Sequence, residues 1–345
     1  MKQIFLLNWR PAVLLRALAA GLIAVGCQSR QQETETTRAP ADAVQSRTPA
    51  FTEDSAYYFV KQQVDFGPRV PNTKAHESCG DYLVRKLRSF GWQAIEQKFR
   101  PTTFDGKKLN ARNIIGIYNP DAKRRILLAA HWDSRPFADA DKAQKNSPVP
   151  AANDGASGVG VLLEIARTIG QDKNNLNIGV DIIFFDAEDW GNSGGTGPDD
   201  EYMGGFCLGS QYWAQNKHLP QYSAYYGILL DMVGAKNATF PKESLSMMYA
   251  GDVVNKVWDT AKSLGYGAYF VDVTGFGVGV DDHVAVNKIA KIPMIDIIHL
   301  DPASGSFFEH WHTVHDTMES IDPKTLKAVG QTVLEVLYLE NTPPA

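Results

Sequence analysis

Near its C-terminal end the chain reads SFFEHWHTVHDTMESID, residues 306–322, with His310, His312 and His315 crowded around Trp311 and acids on either side. Imidazole beside carboxylate serves two kinds of chemistry, the holding of a divalent cation and the movement of protons. Upstream, acids and imidazoles recur directly after apolar runs: His131 and Asp133 in AAHWDS, Asp186, Glu188 and Asp189 in FFDAEDW, and Asp231 in ILLDMVGA. Asp154 precedes the run GASGVGVLLEIA, and Asp281, Asp282 and His283 cluster in GVGVDDHVAV. FFDAEDW is the sharpest of these. Several carboxylates leaving a core strand repel one another unless protons or a cation relieve them. A zinc ion that takes one acid as ligand and leaves its neighbour free as a general base would meet both demands.

Each residue also has a plainer role open to it. His131 and Asp133, two apart on one face of a strand, fit a buried, satisfied pair as well as a ligand and its partner. Asp154 stands where a helix takes its cap. The acids of FFDAEDW fit a solvated loop leading into GNSGGTGPDDEY, while Asp231 and Asp281 fit cap or turn roles. What favours chemistry is the set, scattered over the ends of several apolar runs. Other catalytic signatures are missing. The chain has no HExxH zinc helix, and GASGVG lacks the lysine of a phosphate-binding loop and the spacing of a dinucleotide turn. Gly209–Ser210–Gln211 does not make the GxSxG of a nucleophile elbow.

The elements that must carry these residues alternate. SAYYFVKQQV and HESCGDYLVRKLRSFGW show helical spacing, the second with Tyr82, Leu83, Leu87 and Phe90 as its apolar positions and Gly91 as a stop. NARNIIGIYN and KRRILLAAHWDS predict strands, GVGVLLEIARTIG a helix, and IGVDIIFFDAEDW, YYGILLDMVGA and IPMIDIIHLD further buried strands. A last helix is expected with Asp322 as cap and Pro323 in its first turn, burying Leu326, Val329, Val333 and Val336. Continuous apolar strands alternating with helices predict a single α/β domain with a central, mostly parallel, mixed twisted sheet flanked by helices. Ligands of such sheets bind beyond the carboxyl ends of the strands, where His131, Asp133, Glu188, Asp189 and Asp231 fall.

Over 345 residues, 44% hydrophobic and 21% charged, the composition is that of a globular enzyme-sized chain rather than a disordered or fibrous one. A net charge of −5 and the lack of a basic patch argue against nucleic acid as a partner. The opening MKQIFLLNWRPAVLLRALAAGLIAVGCQSR joins a basic start to an apolar run too short, and too interrupted by Arg16, for a membrane span. Ala24, Val25 and Gly26 before Cys27 resemble a bacterial lipoprotein signal. The expected organisation is a signal peptide over 1–26, a flexible tether from lipidated Cys27 over 27–50, and a catalytic domain over 51–345. That would place the protein in the periplasm on a lipid anchor; Gln28 gives no inner-membrane retention signal, so the outer membrane is the expected site. Export permits a disulfide between Cys79 and Cys207, although two cysteines make no framework.

The segments FGPRVPNTKAH, LLAAHWDS, AANDGASGVGVLLEIAR, IIFFDAEDW, LGSQYWA, ILLDMVGA, DDHVAV and HWHTVHDTMESID, in order over residues 66–322, resemble the M28-type zinc peptidase superfamily. Within it the chain resembles the bacterial members of the animal-type glutaminyl cyclases, the sign being Trp311 directly before His312. The resemblance implies a zinc-aminopeptidase-like fold and one zinc ion per chain, held by Asp154, Asp189 and His312. It implies Glu188 as proton shuttle, Asp231 orienting the substrate amine with Asp281 hydrogen-bonded to it, and Trp311 as the wall of a glutamine pocket. The implied activity is conversion of the N-terminal glutamine of peptides or proteins to pyroglutamate with release of ammonia. A monomer is the expected state, although nothing in the sequence fixes it. In peptidase relatives a second zinc would use His131 and Asp231 with Asp154 bridging, and Glu188 would activate water; Asp133 would then be ligand or support. The chain departs from the animal pattern at Glu188–Asp189, where the animal cyclases have two glutamates, and aspartate reaches less far. A non-catalytic binding lipoprotein of the same fold is the third alternative. The resemblance gives His310 and His315 no role.

Overall fold

The strands, in chain order, are β1 (Gln93–Phe99), β2 (Ala111–Tyr118), β3 (Arg125–His131), β4 (Gly179–Phe185), β5 (Gly227–Asp231), β6 (Phe240–Lys242), β7 (Phe270–Thr274) and β8 (Met294–Ile298). The helices are α1 (Glu53–Val64), α2 (Lys74–Ser89), α3 (Ala156–Gln171), α4 (Leu208–Gln215), α5 (Ser244–Ser263), α6 (Asp282–Ala285) and α7 (Pro323–Glu340). This computed structural model describes residues 48–172, 176–194 and 203–341. The signal segment, Cys27 and all of the expected tether before residue 48 lie outside the described residues. Among the described residues no helix is long and apolar enough to cross a membrane.

Six strands form one sheet in the order β1-β2-β4-β3-β5-β8. β4, β3, β5 and β8 run parallel, while β2 is antiparallel to β4 and β1 to β2. The expected mixed, mostly parallel α/β sheet is therefore the observed one. Its centre is made by the continuous apolar runs: every residue of β3 and β4 is buried, as strands covered on both faces must be. Side chains alternate between two cores. Ile126, Leu128 and Ala130 pack with α1, α3 and α7, and Leu127 and Ala129 pack with Trp213 and Tyr222 on the opposite face. β1 is half-buried and mixes Ile95 with Glu96 and Lys98, an edge strand that a search for apolar runs does not find.

Two joints of this framework place the chemistry. α3 lies directly on β5, since a Cβ on Gly158 would come within 2.2 Å of the Leu230 carbonyl oxygen. That close approach brings the turn before α3, with Asp154, to the end of β5, with Asp231. α7 starts as expected, its Asp322 carboxylate accepting the Lys324 N–H at 2.9 Å with Pro323 behind it. Its buried face includes Leu326, Val329, Val333 and Val336, so the segment leading into it, residues 306–322, is held over the carboxyl ends of the strands.

Candidate active site

A cavity of about 200 Å³ opens at the carboxyl ends of the central strands, lined among others by Asp154, Glu188, Asp189, Asp231, Asp281, Trp311 and His312. Three of these form a buried triangle. His312 Nε2 lies 3.2 Å from Asp189 Oδ1 and 3.9 Å from Asp154 Oδ2. Donors bound to a tetrahedral zinc at 2.0–2.2 Å stand about 3.3–3.6 Å from one another, so these separations bracket that spacing. Two carboxylates and an imidazole, with a cavity on the free side, fit a zinc site that keeps an open position.

A second grouping shares Asp154. His131 Nε2 lies 2.8 Å from Asp154 Oδ1 and 3.3 Å from Asp231 Oδ1. The first distance is that of a direct charge-assisted hydrogen bond rather than of two donors around one zinc. Burial works against a charged His131 ring, but Asp133, Asp154 and Asp231 outweigh it and hold the imidazole well above its usual range. The His131 ring thereby sits between the carboxylates of Asp154 and Asp231, the position a second cation would take between them.

Glu188 and Asp189 leave β4 through Ala187, whose φ of 55° lies in the left-handed region. Met232 (φ 49°) and His312 (φ 54°) share that region, so backbone strain concentrates beside Glu188, beside Asp231 and at His312 itself. Asp133 holds the turn: its two oxygens accept the backbone N–H groups of Glu188 and Asp189 at 3.1 and 3.2 Å, and Oδ1 stands 3.5 Å from His131 Nδ1. Asp133 therefore stands behind the candidate ligands as a support. From the other side the Cys207 thiol donates to Glu188 Oε1 at 3.2 Å, and the Cys207 N–H donates to the Glu188 carbonyl at 2.8 Å. Burial raises the Glu188 carboxyl well above its usual range, and the charges of Asp189, Asp282 and Asp281 add to this against His131. A cation beside Asp189 would pull it back toward ionisation.

Asp281 caps α6 and receives the Asp282 N–H at 2.5 Å. Burial, then the charge of Asp231, push it up to about 7, and it groups with buried His283 and Asp296, one donor atom of each lying within 4.8 Å of the others. Trp311 stacks on His312 with ring centroids 3.6 Å apart and lies 4.6 Å from Phe307, forming one wall of the cavity. Gly155 allows the opposite wall to close, because a Cβ there would meet the His131 carbonyl oxygen at 2.4 Å and Nε2 at 2.5 Å.

Asp154, Asp189, His312, Glu188, Asp231, Asp281, Trp311, His131 and Asp133 are thus brought together. Asp154 does not cap α3; Gly155 occupies that position without a side-chain bond. Asp186 is absent from the cavity: its carboxylate faces away, to His76 Nε2 at 2.9 Å and the Arg112 N–H at 2.7 Å. The acids after β4 therefore divide between a structural pair and the site. Cys79 and Cys207 are both free and buried, so no disulfide joins them. His310 is half-buried, and His315 exposed.

Four supporting residues escaped sequence reasoning. Arg135, fully buried, donates to Asp189 and grips both oxygens of Asp139; Asp139 Oδ1 faces His312 Nδ1 at 3.2 Å. Asp316 accepts the N–H groups of Ala152, Asn153 and Asp154, tying the Asp154 turn to the His312 segment. Asp296 is the fourth. Asp139 and Asp316 lie in loops with no apolar run before them, and only the position of Asp296 inside IPMIDIIHLD, an acid within a buried strand, carried a signal.

Residues 113–337 match the peptidase family M28. The fold superposes with a TM-score of 0.80 on the Bacteroides thetaiotaomicron glutaminyl cyclase bound to N-acetylhistamine, 53% identical over 84% of this chain and 99% of that one. A Zn-dependent exopeptidase from Parabacteroides distasonis gives the same score, identity and coverage. The glutaminyl-peptide cyclotransferase of Gloydius blomhoffii is 27% identical over 302 residues, 79% of this chain and 77% of that protein. The chain belongs to peptidase family M28 and stands close, in sequence and fold, to bacterial glutaminyl cyclases.

Proposed function

We propose that this chain is a zinc-dependent glutaminyl-peptide cyclotransferase, closing the N-terminal glutamine of a peptide or protein onto its own α-amine. The observation that carries the reading is the buried triangle Asp154–Asp189–His312, spaced for one ion and open to the cavity, beside a His131 that contacts Asp154 directly at 2.8 Å. An ion held there supplies a Lewis acid for the side-chain amide carbonyl as negative charge develops. Glu188, kept receptive to a proton by its surroundings, takes one from the attacking amine and returns it to the departing amide nitrogen. Asp231 holds the amine, with Asp281 behind it. Trp311 and Phe307 pack the glutamine stem, favour the curled conformer and keep water from the carbonyl.

In the second reading, His131 and Asp231 share a second ion with Asp154, and the chain is an aminopeptidase whose Glu188 activates water; the grouping His131–Asp154–Asp231 favours it. The finer placement we propose is a periplasmic enzyme on a lipid at Cys27, acting as a monomer. Ammonia release from a glutamine-initiated peptide tests the main reading. It is expected to require the metal and to fall by several orders of magnitude in Glu188→Gln; release that survives both chelation and this substitution would overturn it.

A further inference from the structure

Arg135 is a guanidinium with no exposed surface, buried where an unpaired charge is costly. Its five N–H groups all find acceptors. Nε and Nη2 donate to Asp139 Oδ1 and Oδ2, each at 2.7 Å. Nη1 donates to the Asp189 carbonyl at 2.9 Å and to Asp189 Oδ1 at 3.1 Å, and Nη2 also reaches Ser193 Oγ at 2.8 Å. The rings of Phe137 and Phe206 flank it, with centroids 4.7 and 5.4 Å from the guanidinium carbon. The Asp139 oxygen that receives Nε also faces His312 Nδ1, a buried nitrogen with no aligned hydrogen bond among the described residues, 3.2 Å away on the side of the ring opposite the Nε2 that looks into the triangle.

One rigid fork therefore reaches two of the three candidate zinc ligands, Asp189 directly and His312 through Asp139. We infer that Asp139 is the positioning residue of His312, and that Arg135 clamps Asp139 and Asp189 into one unit. Asp139 fixes the tautomer that leaves Nε2 free to donate electrons to a cation, stops the ring from turning, and makes the imidazole more basic. The bidentate grip of Arg135 gives Asp139 a single orientation, which a lysine, a point charge on a flexible stem, cannot do. His312 needs such a hold: its backbone is in the left-handed region, and its other neighbour, stacked Trp311, restrains tilt but not rotation within the ring plane. The unit also offsets the shorter reach of Asp189, since the fork holds that carboxylate at both its backbone and its side chain.

This inference rests on the assignment of Asp154, Asp189 and His312 to the metal. The test is zinc affinity, measured by chelator competition on the full chain of the wild type, Asp139→Asn, Arg135→Lys and His312→Ala, together with the visible ligand-field spectrum of the cobalt-substituted proteins. Asp139 is about a third exposed, so Asp139→Asn is expected to fold; Arg135→Lys keeps the charge and changes geometry alone. Both variants are expected to bind zinc about 10–100-fold more weakly and to alter the cobalt spectrum, and Asp139→Asn is expected to keep a metal-free melting temperature near that of the wild type. Zinc affinity within twofold of wild type in Asp139→Asn, or a loss of metal-free stability with affinity unchanged, would overturn the inference alone. A His312→Ala protein that keeps wild-type affinity would overturn the metal assignment and the inference with it.

Discussion

Replacing Asp133 with asparagine changes almost no volume and removes one acceptor. The wild-type carboxylate is wholly buried and receives the N–H groups of Glu188 and Asp189 on separate oxygens. An amide offers one oxygen to these two donors and turns its own NH2 toward the other. One buried N–H is left unsatisfied at about 1–3 kcal/mol, and the surviving bond loses its charge-assisted character, so about 2–4 kcal/mol is at stake. For a domain of this size that lowers the melting temperature by about 3–7 °C. The effect on catalysis is larger than the effect on stability suggests, because Ala187 already holds this turn in a strained conformation and Asp133 is what pins it. A displacement of about 1 Å at Glu188 costs about 100-fold in turnover. Calorimetry and steady-state kinetics on purified Asp133→Asn measure both quantities. A protein that melts within 1 °C of wild type, roughly the scatter expected for surface changes, and turns over at the wild-type rate would refute the role given to Asp133.

Four further outcomes follow from the geometry. Asp281 is held up to about 7, so between about pH 4 and 7 the folded chain keeps a proton that the unfolded chain has released; this carboxyl contributes nothing below that window, lowers stability progressively as pH rises through it, and its cost is constant above. In urea titrations of metal-free protein, Asp281→Asn should gain on wild type across that window and stay parallel above it; a pH-independent difference would contradict this. Gly155→Ala drives a Cβ into the His131 backbone and ring, and should cost about 3 kcal/mol or more and disperse the site, read by circular dichroism and metal content. Trp311→Ala should keep its metal and raise KM about fivefold, given about 1 kcal/mol for a lost aromatic contact. Chelation should lower the melting temperature in a zinc-dependent way, by about 3 kcal/mol of linkage at a hundredfold excess over Kd.

Much of the framework was legible because its signals are local. A buried parallel strand must be apolar throughout, so β3, β4, β5 and β8 announce themselves, and the polar residue that ends each run falls at the end of the sheet where sites form. α7 carries its own cap in Asp322–Pro323. The half-buried edge strand β1, the short pair β6 and β7, and helices α4 to α6 have no such continuous run, and their pairing is set by tertiary context. The same division runs through the site. Residues that face the cavity follow strands and could be found; Arg135, Asp139 and Asp316 are recruited from loops by contacts spanning up to 173 positions, and no spacing encodes them. The separation of Asp186 from Glu188 and Asp189 was hidden for a related reason, since its partner His76 lies 110 residues earlier on α2.

The central claim is the identity of the product. A peptide beginning with glutamine, incubated with the purified domain in chelated and zinc-restored form, should lose the mass of one ammonia only when zinc is present, with every residue of the peptide retained. Loss of the whole first residue instead would contradict the account and assign the chain to the aminopeptidases, with a second ion between His131, Asp154 and Asp231.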